Sequence, residues 1–246
     1  MTRPKMIIFD YGGTLLQEPE CDFDRGEEKV FEHVVRNPNH LNPQELSLFG
    51  SQRFGELQQI RDLGYEAHEF QMLRFKYEYN EITLDISYEE AENILWDHTS
   101  PLTEQAKVPY VSEMLDFVRQ QHIRTGIISN IGWSGRALAR RIHKLLPDHD
   151  FEFVIASCEY GIRKPDKRIF DLALKKAGLT ASEVWYCGDT FDLDIVGAYH
   201  AGIYPIYYHG MSSEKLSEEQ INKNADVRYT RISDWKILCD LLQKNV

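Results

Sequence analysis

The chain begins with a short apolar run that is followed by a carboxylate and a turn of small residues. Residues 6–9 read Met-Ile-Ile-Phe, and Asp10 and the Tyr-Gly-Gly-Thr of residues 11–14 come directly after them. A four-residue apolar run bounded by turn residues is typical of a buried strand. The pattern therefore predicts a first strand that ends at Asp10.

Residues 17–100 have a different pattern, with apolar positions at helical spacing and many Glu, Gln, His and aromatic residues. Asn42 before Pro43 fits a helix N-cap followed by proline at the first helical position. Ser-Tyr-Glu-Glu at 87–90 fits a capping box. We predict four helices in this segment, near residues 25–36, 43–62, 66–79 and 87–97.

After Pro109 the pattern alternates between amphipathic helices and short apolar strands. This alternation indicates a parallel sheet that is covered by helices on both faces. The predicted strands are 123–129, 151–157, 183–187 and 203–208, the helices between them are 111–121, 134–146, 165–177 and 192–201, and a short strand and a last helix follow within 225–242.

The helical segment interrupts the α/β pattern after its first strand, which is typical of an inserted domain. We therefore predict an α/β fold with a Rossmann-like, doubly wound parallel sheet as its core and an inserted all-helical cap domain. The core comprises residues 1–16 and 101–246, and the cap comprises residues 17–100.

The net charge opposes binding to a nucleic-acid backbone. The chain has 28 Lys and Arg against 39 Asp and Glu, a balance of −11, which repels a chain of phosphates. No apolar run approaches the about 18 residues that a membrane span needs, and the N-terminal run is too short for a signal peptide. From the charge and the run lengths we expect no nucleic-acid and no membrane partner. Four widely spaced cysteines without a CxxC pair indicate reduced thiols, so we expect a cytoplasmic protein.

Polar side chains follow the carboxyl ends of four predicted strands, where open parallel sheets bind their ligands. Carboxylates that cluster at one site repel each other unless a cation lies among them, and Mg²⁺ prefers such oxygen ligands. A cation and an ammonium together hold a phosphoryl group, which a carboxylate can attack to form an acyl phosphate. The side chains in question are Asp10, Thr14, Ser129, Asn130, Lys164, Asp189 and Asp194.

Four segments resemble the motifs of the haloacid dehalogenase (HAD) superfamily, in the family's order. Phe-Asp-Tyr-Gly-Gly-Thr-Leu at 9–15 is similar to the first motif, and Ile-Ile-Ser-Asn at 127–130 is similar to the second. Residues 161–166 carry the lysine of the third motif, and residues 188–194 resemble the fourth motif, GDxxxxD. The helical insertion resembles the C1 cap, which in this family closes over the site and selects the substrate.

The resemblance implies a role for each matching position. Asp10 is the expected nucleophile, Ser129 the expected donor to a phosphoryl oxygen, and Lys164 the cation that offsets the charge of both. The resemblance also implies substrate-binding roles for Gly13, Thr14 and Asn130, and a Mg²⁺ site formed by Asp10, the carbonyl of Gly12, Asp189 and Asp194, with Asp194 as a supporting residue or a partner of Lys164.

The chain departs from the family's phosphatases at Gly12. The phosphatases have there a second Asp that acts as general acid and base, a contribution of about 10²–10⁴-fold in rate. We therefore expect a HAD-like, Mg²⁺-dependent hydrolase of the phosphatase type, acting on a small phosphorylated metabolite through an aspartyl-phosphate at Asp10. Two alternatives remain open: a catalytically weak module that binds Mg²⁺ and a phosphorylated ligand, and a dehalogenase-like or phosphonatase-like hydrolase, which in the latter case needs a cap lysine, Lys29 or Lys76.

Overall fold

The computed structural model describes residues 2–211 and 216–244. Its strands are β1 Met6–Phe9, β2 Val34–Arg36, β3 Thr83–Leu84, β4 Arg124–Ser129, β5 Val154–Ala156, β6 Val184–Gly188, β7 Tyr204–Tyr208 and β8 Thr230–Ile232. Its helices are α1 Phe23–Phe31, α2 Pro43–Asp62, α3 Glu69–Tyr79, α4 Tyr88–Thr99, α5 Val111–Gln120, α6 Gly135–Leu145, α7 Lys167–Ala177, α8 Val196–His200, α9 Glu218–Lys223 and α10 Trp235–Lys244.

Six strands form one parallel sheet in the order β5-β4-β1-β6-β7-β8. The chain builds outward from β1 to β4 and β5, and then crosses back to β6 on the other side of β1. This reversal leaves a crevice at the carboxyl ends of β1 and β6, where ligands bind in sheets of this kind. The predicted Rossmann-like α/β core is thus confirmed.

Alternate residues of β1 enter two different cores, because successive side chains of a strand point to opposite faces. Ile7 and Phe9 pack on the face that also contains Trp185 and Trp235. Met6 and Ile8 pack on the other face with Phe170 of α7. Both faces of the sheet are therefore covered, which agrees with the apolar character of all four β1 residues.

The segment between β1 and α5 contains α1 to α4 and differs in one detail from the all-helical prediction. The predicted helix 25–36 ends at Phe31, and β2 pairs antiparallel with the two residues of β3. Two β-branched residues in succession, Val34 and Val35, lose side-chain freedom in a helix and favour the extended form. The predicted N-cap at Asn42 before Pro43 is confirmed, because its side chain accepts a hydrogen bond from the N–H of Glu45. Of the capping box predicted at Ser87, the structure contains the N-cap half, in which the Ser87 side chain accepts from the N–H of Glu90.

Two helices begin at least three residues later than predicted. α3 begins at Glu69 rather than at residue 66, and the residues before it run extended along the core. The predicted helix 192–201 opens as a π-helical turn, Phe191–Ile195, before α8. Among the helices of the described residues, none combines the length and the apolar character that crossing a membrane requires. The boundaries at residues 16 and 100 stay a prediction.

Candidate active site

One cavity of about 390 Å³ lies at the carboxyl ends of β1, β4 and β6. Among the residues that line it are Asp10, Gly12, Ser129, Asn130, Lys164, Asp189 and Asp194, seven of the nine predicted site residues. The strands bring these residues together although they are far apart in the sequence. Gly13 and Thr14 lie beside Asp189 instead, since the Thr14 hydroxyl is 3.5 Å from its Oδ1.

The ammonium group of Lys164 is buried between two carboxylates. Its Nζ donates to Asp10 Oδ1 at 2.5 Å and to Asp194 Oδ1 at 2.6 Å. A third hydrogen bond reaches the hydroxyl of Tyr186 at 3.0 Å. Burial by itself lowers the pKa of Lys164, but the two carboxylates outweigh it and hold the pKa above its ordinary value. Lys164 is therefore charged and fixed in position.

The carboxylates of the cavity exceed its buried ammonium in number. Oxygens of Asp10, Asp189 and Asp194 lie within 4.8 Å of one another. Burial, together with the neighbouring carboxylates, raises the pKa of Asp10 to about 7 in spite of Lys164. Burial and the charge of Asp194 likewise raise the pKa of Asp189 to about 6. The site thus has a surplus of negative charge that a hard cation would relieve.

Both oxygens of Asp194 already have partners. Oδ1 accepts hydrogen bonds from Lys164 and, at 3.1 Å, from the Tyr186 hydroxyl, whereas Oδ2 accepts one from the backbone N–H of Thr190 at 2.9 Å. Of the two roles that the resemblance implies for Asp194, the structure contains the pairing with Lys164. Its role as a metal ligand stays a prediction.

The side chain of Asn130 binds the backbone of Lys164 rather than pointing freely into the cavity. The neighbouring Ser129 is buried and lines the cavity, and within residues 2–211 and 216–244 its hydroxyl has no hydrogen-bond partner. Ser129 is thus available for a ligand oxygen. The substrate-binding role of Asn130 stays a prediction beside this contact.

The two glycines of the first motif face different surroundings. Gly13 has a φ of 72°, and a Cβ at this position would collide with the carboxylate of Asp189, so only glycine fits there. At Gly12 a Cβ would meet nothing within 4 Å, and the backbone is outside the left-handed region. Position 12, where the family's phosphatases have the second Asp, therefore has space for the Cβ of a side chain.

Sequence reasoning missed Tyr186, which lies beside the cavity. Tyr186 contacts both Lys164 and Asp194, and its only sequence signal is its place on the strand that ends at Gly188.

The Tyr11 hydroxyl donates a hydrogen bond to Glu18. Burial, together with the Glu18 carboxylate, raises the pKa of Tyr11 well above its ordinary value. Tyr11 is therefore a poor proton donor for a leaving group.

Neither cap lysine lines the catalytic cavity. Lys29 is on the surface and pairs with Glu32 at 2.6 Å. Lys76 is buried and pairs with Glu27 beside a separate cavity of about 180 Å³ between the cap helices. A Schiff-base lysine for phosphonatase chemistry has to reach the substrate at Asp10, and these two side chains are placed elsewhere.

Three comparisons place these features among known proteins. A family model described as haloacid dehalogenase-like hydrolase matches residues 4–202. The glyceraldehyde 3-phosphate phosphatase of Pyrococcus furiosus is 25% identical over 243 residues, which cover 96% of this chain and 90% of that protein. The pyrimidine 5′-nucleotidase YjjG of Escherichia coli is 37% identical over 97 residues, which cover 39% of this chain and 42% of that protein.

A solved structure of similar fold is the 2-haloacid dehalogenase from Pseudomonas syringae pv. Tomato. It superposes with a TM-score of 0.61 over 100% of both chains, at 19% sequence identity. At this identity the likeness concerns the fold alone.

Proposed function

The chain belongs to the haloacid dehalogenase-like hydrolases, and we propose that it is a Mg²⁺-dependent phosphatase of that family that acts on a small phosphorylated metabolite. The observation that carries this proposal is the placement of Lys164 between Asp10 and Asp194. This arrangement holds a charged ammonium beside the nucleophile, where it can also offset the charge of a phosphoryl group. The phosphatase named among the relatives supports the same reaction class.

The oxygen donors of the site fit Mg²⁺. Asp10 and Asp189 would be its carboxylate ligands, the Gly12 carbonyl a further one, and Asp194 would support it through the neighbouring network. When bound, Mg²⁺ neutralises charge on the phosphoryl oxygens and polarises the phosphorus.

Asp10 is positioned to act as the nucleophile. Lys164 occupies its Oδ1, which leaves Oδ2 for attack on phosphorus. In the first step the Asp10–phosphorus bond forms while the bond from phosphorus to the leaving oxygen breaks, and the leaving group takes the electron pair. Ser129 donates to a phosphoryl oxygen, and Lys164 balances the charge. In the second step water attacks the phosphorus, the bond from phosphorus to Asp10 breaks so that Asp10 departs as the carboxylate, and the proton that the water loses passes to solvent.

The leaving group receives little help from the chain itself. Gly12 supplies no acid, and Tyr11 is hydrogen-bonded to Glu18. We therefore expect acyl and aryl phosphates, whose leaving oxygens are stable as anions, to react faster than alkyl phosphates. The same feature favours a second candidate function, a protein that binds Mg²⁺ and a phosphorylated ligand with negligible turnover.

A screen of phosphorylated metabolites with and without Mg²⁺ separates these functions. We expect phosphate release that needs both Mg²⁺ and Asp10, so Asp10→Asn should be inactive. The control Asp166→Asn alters a half-buried carboxylate that caps α7 and pairs with Arg168. Because asparagine can also cap a helix, this variant should remain active. Thermal stabilisation by a ligand without phosphate release would favour the binding function, and release that persists in Asp10→Asn would refute the proposed nucleophile.

Mass spectrometry tests the intermediate directly. After mixing with an acyl phosphate, a peptide containing Asp10 should gain the mass of one phosphoryl group, because the water of the second step lacks a base.

We also propose a cytoplasmic location, because all four cysteines are free thiols.

A further inference from the structure

A second cationic side chain, Arg163, lines the catalytic cavity next to Lys164. Its side chain is 21% exposed, and within the described parts of the chain its guanidinium group donates no hydrogen bond. Lys164, in contrast, already donates to Asp10, Asp194 and Tyr186. Arg163 is thus the cation of the cavity wall with donors free for a ligand.

On the cap side of the cavity, away from the carboxylates of the strand ends, two guanidinium groups share the single carboxylate of Glu66. The ion-pair partner of Arg163 is Glu66, whose Oε2 lies 3.7 Å from Nη1 of Arg163. The same carboxylate also accepts a hydrogen bond from Arg61 at 2.6 Å, so two guanidinium groups share one carboxylate. Glu69 lies close to Arg61, but burial raises its pKa to about 7, so at neutral pH it carries only part of a charge.

The backbone places Arg163 where the cap meets the core. Its N–H donates to the carbonyl of Gly64 at 3.3 Å, and Tyr65 pairs with Ile162 in an antiparallel bridge. The carboxylate of Glu66 is buried and also accepts a hydrogen bond from Ser157 of the core at 3.0 Å. Arg163 therefore lies on the cap side of the cavity, whereas Asp10 and Lys164 lie at the strand ends.

We propose, on the premise that the protein is the phosphatase described above, that Arg163 binds a second anionic group on the leaving-group side of the substrate. A planar guanidinium group with free donors matches a carboxylate, which it can bind through two parallel hydrogen bonds. The substrate class is then a phosphorylated carboxylic acid. Glu66 is a positioning residue that orients Arg163.

A pair of unreactive ligands tests the inference independently of turnover. 3-Phosphonopropionate and propylphosphonate have the same length, and only the first has a carboxylate. Their affinities are measured by calorimetry at pH 7.5 in the presence of Mg²⁺. We expect 3-phosphonopropionate to bind at least about tenfold more tightly to the wild-type protein, the effect of one charge-assisted hydrogen bond.

Three variants assign that preference to Arg163. Arg163→Gln should reduce the affinity ratio to nearly one, and Arg163→Lys, which keeps the charge without the planar fork, should retain part of it. The matched control Arg168→Gln removes an exposed arginine of α7 and should keep the wild-type ratio. A ratio near one in the wild-type protein, failure of both phosphonates to bind, or an unchanged ratio in Arg163→Gln would overturn the inference.

The same proteins distinguish a failure of this inference from a failure of the proposed function. Release of p-nitrophenol from its phosphate ester requires the phosphatase but no second anionic group. Hydrolysis of this ester by a wild-type protein without carboxylate preference would overturn the role of Arg163 alone. A carboxylate preference without hydrolysis of any ester would support Arg163 as an anion-binding residue and overturn the phosphatase.

Discussion

The side chain of Asn130 binds both backbone groups of Lys164, the N–H and the carbonyl. Asn130 Oδ1 accepts a hydrogen bond from the Lys164 N–H at 2.7 Å, and Nδ2 donates to the Lys164 carbonyl at 2.9 Å. A residue after β4 thereby sets the position of a lysine 34 positions later. The second and third motifs of the family thus act as one unit in this chain.

Replacing Asn130 should therefore affect the chemistry through Lys164. Asn130→Ala leaves two backbone groups without partners, and we expect a loss of about 1–3 kcal/mol in the free energy of unfolding. Displacement of the ammonium should lower kcat by about 10²-fold, as expected for a catalytic group moved by about 1 Å. Urea denaturation and steady-state kinetics with p-nitrophenyl phosphate measure both effects.

Asn93→Ala is the control, because Asn93 bonds Arg140 on the surface. If Asn130 acted only as a substrate ligand, KM would rise while kcat stayed the same.

Gly12→Asp should increase turnover. A Cβ at this position meets open space, and the backbone has ordinary dihedral angles, so the new carboxyl can enter the cavity without strain. General acid–base catalysis is worth about 10²–10⁴-fold, and we expect at least about tenfold for aryl phosphates and more for alkyl phosphates. Rates for a series of esters with different leaving groups measure the gain.

Two neighbouring variants serve as controls for this gain. Gly12→Asn has the same size without an acid and should show no increase. Gly13→Ala should be inactive or misfolded, because its Cβ would strike Asp189 and its φ is 72°. A folded, Mg²⁺-binding Gly12→Asp protein with unchanged rates on every ester would show that proton transfer does not limit turnover.

The metal-free protein should lose stability as the pH rises. The folded-state pKa of Asp10 is about 7 and that of Asp189 about 6, both above the ordinary 3.8. A carboxyl with a raised pKa binds its proton more tightly in the folded state, so its contribution is fully present below about pH 4. That contribution disappears as the pH passes through 6 to 7.

Thermal and urea denaturation in EDTA between pH 4 and 8 measure this dependence. We expect Asp10 to account for about 2–4 kcal/mol of it, which Asp10→Asn should remove. Added Mg²⁺ should flatten the dependence, because the cation favours the ionised carboxylates. A metal-free protein whose stability rises steadily from pH 4 to 8 would contradict the burial of uncompensated charge at this site.

Arg141 of α6 should stabilise the two chain segments that connect the core to the cap, at Glu18 and at Ser100. Its guanidinium group donates to both oxygens of Glu18, at 2.8 and 2.6 Å, and to the carbonyl of Ser100. It also lies 4.6 Å from the ring centre of Trp96. Because the arginine is fully buried, we expect Arg141→Met to lower the free energy of unfolding by about 2–4 kcal/mol.

The adjacent Arg140 provides the matched control, since its side chain is 39% exposed. Urea denaturation of both variants measures the difference, and Arg140→Met should lower the free energy of unfolding by less than about 1 kcal/mol. Equal losses in the two variants would show that the buried contacts of Arg141 contribute little to the connection.

The sequence by itself determined the sheet, the insertion and the polar side chains of the strand ends that meet in the site. Apolar runs of strand length and helical spacing are local patterns, so they predicted the α/β core. The polar residues after β1, β4 and β6 had to meet, because the carboxyl ends of parallel strands share one edge of the sheet. Motif order then connected Asp10 with Lys164 and Asp189.

Only the tertiary structure decided how these groups pair and how the cap is built. Whether Asp194 binds Lys164, and whether Gly12 has room for a side chain, depends on distances between segments that are remote in the sequence. The strand at Val34 depends on its partner Leu84, 50 residues later. The extended residues before α3 depend on the core segment at Ile162, with which Tyr65 pairs. Such choices follow from long-range contacts and burial, which local periodicity does not contain.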